Sequence, residues 1–162
     1  EQIMHPDRYP DEKPTPILME PFQDEIAKGC ELIFDNTLNE ADLLWLLNSG
    51  YEEKWRLSDK TAQEAADGWG GGHFQFARCD EKPMFFSKTI WDSKKDADEF
   101  TKALSDYNQL RWNPGDADAT WTGNNNETID VIQQEDVVYF MIRPDTFQNN
   151  SLLELIRSGS SL

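Results

Sequence analysis

The chain has 162 residues, which suits one domain of about 100 to 200 residues rather than two. Hydrophobic residues make up 38% and aromatic residues 12%, with six Trp and nine Phe, so the chain can bury a core without metal staples and is not a disordered polymer. Its 31 acidic and 15 basic residues leave a net charge of -16, which opposes nucleic-acid phosphates and anionic lipid, and no apolar run approaches the roughly 18 residues of a membrane span.

From Glu1 to about Pro21 the chain carries Pro6, Pro10, Pro14, Pro16 and Pro21 among charged residues. Proline forbids a regular helix there, so residues 1–25 read as an extended arm ahead of a single domain over 26–158 and a frayed tail over 159–162. The opening at Glu1, with neither initiator Met nor an apolar leader, reads as a cut end. Cys30 to Phe34, followed by Asp35-Asn36, suits a strand ending in a turn. Asn39 with Asp42 three residues on is a variant of the capping box, and it precedes the apolar run Leu43 to Leu47 and a stop at Gly50. After Ser58-Asp59, the positions Ala62, Ala65, Ala66 and Trp69 follow helical spacing and give a narrow stripe of small residues that can lie close on a sheet.

Gly68 supplies a helix stop and Gly70-Gly71-Gly72 reads as a tight connection. Beyond it, His73 to Cys79 and Met84 to Trp91 form a hairpin across Asp80-Glu81-Lys82-Pro83. Ser93 with Asp96 caps the clearest helix of the chain, where Ala97, Phe100, Leu104 and Tyr107 recur at helical spacing. Asn113 to Asn126 is mostly loop, with Ala119 to Thr122 able to add a short strand. Thr128 to Gln133 and Val137 to Ile142 form a second hairpin, and Asn150 or Ser151 caps a last helix holding Leu152 to Ile156. This order lacks strand-helix alternation, so the expected fold is α+β: an antiparallel sheet of four or five strands with helices packed mainly on one face.

The residues that carry chemistry are few. Cys30 and Cys79, each beside a strand, either pair, closing a loop of about 50 residues worth roughly 3 to 4 kcal/mol, or are two buried thiols. Neither has a zinc spacing, so no metal and no cofactor are expected. A nucleophilic triad needs a histidine, and only His5 and His73 are present, without local motif support. His73 suits either a surface strand or a ligand or acid/base at a pocket edge; an enzyme would need a pocket bringing it within hydrogen-bond reach of a carboxylate. Asp116, Asp118 and Asn124 to Glu127 cluster oxygen atoms but miss the EF-hand spacing. Most tryptophans should be core, while Trp112 and Trp121, flanking the Asn-rich loop, are the two expected to be exposed.

The amino end, Glu1-Gln2-Ile3-Met4-His5-Pro6-Asp7-Arg8-Tyr9, resembles the STEQ-x-LHP-x-KY segment of a family of bacterial zincin-like, metallopeptidase-type proteins that are usually exported or lipid-anchored. Ala65 to Gly71 is similar to that family's AAxGWGGD element, and Ile90 to Ser93 with Asp96 to Phe100 to its TxWDSxxDAxEF element. In that family the zinc-binding HExxH helix lies upstream of these blocks, and no HExxH occurs here. The resemblance therefore implies a non-catalytic, extracytoplasmic carboxy-terminal portion whose partner is a zincin-like domain of the same parent chain. Gly72 and His73 stand where the family has an acidic and a basic residue, so no role carries over at that point. His5 and Tyr9 match the pattern and become candidates for domain contact or substrate approach. The competing expectation is a stand-alone peptide- or glycan-binding module using exposed Trp residues, Trp112 and Trp121, and the loop from Asn113 to Asn126, with His73 a further ligand-binding candidate.

Overall fold

A computed structural model describes residues 15–17, 29–50, 52–115, 117–145 and 147. Strand β1 spans Cys30–Thr37, helix α1 Glu40–Leu47, and a single 3-10 turn Glu53–Trp55 precedes helix α2 at Asp59–Ala66. Strands β2 (Trp69–Cys79) and β3 (Lys82–Trp91) follow, then helix α3 (Lys94–Arg111). The chain ends its described part with β4 (Asn113–Pro114), β5 (Thr120–Thr122), β6 (Thr128–Gln134) and β7 (Val137–Arg143). The expected last helix at 152–156 and the tail lie outside the described residues, as does nearly all of the arm.

Side chains close the helix starts as their sequences require. Asn39 and Asp42 exchange bonds in a full capping box at α1, while Ser58 caps α2 and Ser93 caps α3. Each such cap satisfies amides that would otherwise be orphaned and contributes about 1 kcal/mol. Gly68, at φ +80°, turns the chain out of α2 in the left-handed region where a side chain would be strained.

The seven strands form one antiparallel sheet in the order β1-β2-β3-β7-β6-β5-β4. The antiparallel arrangement matches expectation, but the sheet is larger than the four or five strands read from sequence. The two additional strands are β4 and β5, and separately β2 begins earlier than expected. β5 is the short strand that Ala119 to Thr122 was read as able to add, and it pairs with β6, while the two residues of β4, too few to alternate visibly, pair with β5. The triglycine, expected as a connection, instead lies inside β2.

Close backbone approach explains those glycines. Thr15 donates its amide to the Gly70 carbonyl at 2.7 Å, and Leu38 donates to the Gly72 carbonyl at 2.9 Å. A Cβ on Gly71 would stand 2.5 Å from the Thr15 carbonyl oxygen, and one on Gly72 2.3 Å from that of Leu38. Gly71 and Gly72 therefore have no side chain because other backbone passes over them.

Helix α3 crosses the sheet and buries Ala97, Phe100, Leu104 and Tyr107, the stripe its spacing predicts, together with Ala103. Trp91 stacks on Phe100 at 4.5 Å, and Trp69, Val131, Val138 and Phe140 complete this main core. Ser87 and Thr89 point into the same layer and donate to the carbonyls of Phe140 and Val138, so their burial leaves no hydroxyl stranded. The opposite face has its own buried cluster of Ala77, Met84, Phe86, Tyr139 and Met141, with Ile17 and Phe147 packed on it. On that face Arg143 donates to Asp130 at 2.8 Å, both nearly out of solvent. Cys30 and Cys79, directly opposite in the β1–β2 register, form a disulfide that resolves the open choice left by the sequence.

Candidate functional site

Three neighbouring features on the β1 side of the sheet gather polar or exposed apolar groups. The first is a polar row on the face away from the helices. Register places Thr37, His73, Lys88 and Tyr139 side by side across β1, β2, β3 and β7. Asp35, one step along β1 on the same face, accepts from Gln75 Nε2 at 2.8 Å and is in hydrogen-bond contact with His73 Nε2. Gln75 is fully buried, and its Oε1 has no hydrogen-bond partner. The Lys88 ammonium lies over the Tyr139 ring at 5.8 Å.

Burial shifts two groups of this row. Desolvation pushes the Lys88 amine below the usual lysine range and the Tyr139 hydroxyl above the usual tyrosine range. Lys94 and Lys95 behave oppositely, because hydrogen bonds to Asp98 and Glu99 hold them protonated. In a pH titration followed by NMR of the lysine side chains, Lys88 is therefore expected to lose its proton before Lys94 and Lys95. A Lys88 that titrates together with them would mean its site is wet.

The second feature is an aromatic row on the helix side. Phe34, Phe74, Phe85 and Phe140 follow one another across β1, β2, β3 and β7 with ring centroids 5.7 to 5.8 Å apart. Phe140 lies under the helices, whereas Phe34 is 51% exposed, so the row emerges from the core into solvent. Where it emerges, Phe74 and Phe85 floor a cleft of about 450 Å3 whose rim carries Asn36, Thr37, Asn39 and Asp42. The rim is set by the turn from β1 into α1, which the capping box fixes.

The third feature is the margin of the sheet. A bulge in the pairing falls between Leu32 and Phe34. Leu32, Ile33 and Phe34 are all exposed along β1, and Phe76 on β2 is exposed beside them. Another hollow of about 450 Å3 between α2 and α3 is rimmed by acids, but its carboxylates include Glu64, Glu99 and Asp106, paired with Lys60, Lys95 and Lys102 in solvated i,i+4 ion pairs.

The residues singled out from sequence are scattered relative to these features. His73 sits in the polar row with the carboxylate contact an acid/base role needs, although it does not line the aromatic cleft. His5 and Tyr9 lie outside the described residues. Trp121 is buried, contrary to expectation, because β5 turns its ring into the main core. Trp112 is half-buried against the same core at the end of α3, with the Arg111 guanidinium 5.8 Å from its ring. The exposed tryptophans are Trp45 and Trp55. The Asn-rich loop turns inward on itself, Glu127 accepting from the backbone and side-chain nitrogens of Asn125, each at 2.9 Å. Among the described residues no group of three or more His, Cys, Asp or Glu side chains could hold a metal ion.

The described residues thus form an α+β fold, a seven-stranded antiparallel sheet with three helices. Residues 31–152 match the family described as "Domain of unknown function (DUF8575)", and the chain belongs to that family. No curated protein and no solved structure matches it.

Proposed function

We propose that the chain is a non-catalytic accessory domain of an exported, metallopeptidase-like protein, and that it docks a companion zincin-like domain along β1. The observation that carries this reading is the apolar margin formed by Leu32, Ile33, Phe34 and Phe76. Single exposed apolar residues are ordinary on a surface, whereas four neighbouring ones at a sheet margin are the usual mark of a contact surface. The disulfide supports an oxidising compartment outside the cytoplasm, since such bonds are rare inside it. The three motifs shared with the zincin-like family supply the identity of the companion.

An enzymatic reading draws on one observation, the His73 contact with Asp35. That pair also has a structural use, because Asp35 anchors the buried Gln75 amide and so fastens β1 to β2.

Reading the gene upstream of the codon for Glu1 is expected to reveal an HExxH segment; its absence would remove the metallopeptidase context. With that upstream half produced separately, Ile33→Asp is expected to weaken its association with this chain at least about tenfold, since a charge would be buried in an apolar contact. Association as strong as that of the unaltered chain would overturn docking through β1.

A further inference from the structure

We propose that the cleft floored by Phe74 and Phe85 is a binding site for an uncharged oligosaccharide. Its volume of about 450 Å3 falls within the range of small-molecule sites, about 300 to 1,000 Å3. The charge around it selects the ligand class. Among the described residues lining it there is one carboxylate, Asp42, and no cation, so an anion finds no counter-charge in a chain of net charge -16. A cation would face the positive end of α1, and the Asp42 carboxylate is already engaged there, accepting the Asn39 amide at 3.0 Å. A neutral molecule escapes both penalties.

The remaining polar groups match hydroxyls. Asn36 uses its oxygen on the Thr37 amide and Asn39 its oxygen on the Asp42 amide, which leaves both NH2 groups as donors. Asp42 Oδ1 remains an acceptor. A sugar hydroxyl both donates and accepts, and the C–H surface of a pyranose ring supplies the apolar contact that the two phenylalanines require. An extended peptide is less well served. It would seek unpaired backbone groups, but β2 and β3 under the cleft are interior strands, each laddered to neighbours on both sides. The exposed Phe34 ring, 5.7 Å from Phe74, prolongs the floor outward, so the ligand is a chain of sugar units rather than a single one.

Phe34 also belongs to the margin of β1, so a companion domain docked there would cover the outer part of the floor, and the test therefore uses this chain alone. The test is an NMR titration of the isotopically labelled chain with cellotetraose, chitotetraose, xylotetraose and mannotetraose at millimolar concentration. At least one is expected to shift the amides of residues 36–42, 74 and 85. Asn36→Ala, which removes a donor from an exposed strand position, and Phe74→Leu, which keeps apolar volume but not the ring, are each expected to weaken that binding at least about tenfold. Should Phe74→Leu fail to fold, Asn36→Ala still decides. The proposal is overturned if no sugar shifts those amides, if the shifts fall elsewhere, if Asn36→Ala binds like the unaltered chain, or if a basic or proline-rich peptide shifts them where the sugars do not.

Discussion

Reducing the Cys30–Cys79 disulfide is expected to lower the free energy of unfolding by roughly 3 to 4 kcal/mol. The bond joins positions 49 apart, and its loss returns that much loop freedom to the unfolded chain. For a domain of this size the midpoint of thermal unfolding should fall by about 6 to 16 °C. The effect has a direction in the fold as well. Cys30 begins the marginal strand and Cys79 ends its neighbour, so β1 is held at that end by the disulfide and further along by the Asp35 contacts to His73 and Gln75. Loosening β1 also displaces Leu32, Ile33 and Phe34, so the docking proposed for that margin should weaken in reducing buffer. Denaturant melts of the oxidised protein and of a Cys30→Ser, Cys79→Ser variant provide the measurement; coincident midpoints would show that the bond does not constrain the unfolded chain.

Arg143→Met is expected to cost about 3 to 5 kcal/mol, because it leaves the buried Asp130 carboxylate without its cation. Adding Asp130→Leu should recover most of that loss. Two charges withdrawn from water are costly to bury even when paired, and apolar side chains of similar volume fill the same space without that cost. Denaturant unfolding of both single variants and the double variant forms a cycle that isolates the pair. A near-neutral Arg143→Met would mean that water reaches Asp130.

Much of the fold was legible where side chains follow a period. The stripe at Ala97, Phe100, Leu104 and Tyr107 identifies α3, and Asn39, Ser58 and Ser93 mark the three helix starts. Both hairpins stood out because their apolar strands are broken by short polar turns, at Asp80-Glu81 and Glu135-Asp136. What failed had no period to read. Gly70 to Gly72 have no side chains to alternate, so their place inside β2 shows only when Thr15 and Leu38 are seen crossing them. In Leu43 to Leu47 every position is apolar, and nothing local says that Leu43 and Leu47 face in while Trp45 is 67% exposed. Trp121 is flanked by turn-forming residues, yet pairing with β6 carries it into the core.

The candidate site was hidden for a different reason. Phe34, Phe74 and Phe85 come from three strands, and only the pairing register brings their rings into one row. The same holds for Asp35 and His73, which are 38 positions apart. The scarcity of histidines therefore pointed to His73 without revealing its partner.

The sheet is two meanders in series: β1 to β3 and β4 to β7 each pair neighbours in sequence, and only the seam between β3 and β7 joins residues as distant as Phe85 and Ile142. The β2–β3 hairpin and the second meander can therefore assemble early from local contacts, while β1, which meets β2 only across the two helices between them, and the seam, which spans α3, must await closure of long loops. Until the seam closes, β3 and β7 present raw edges, and the edge of one molecule suits its counterpart on another as well as its own.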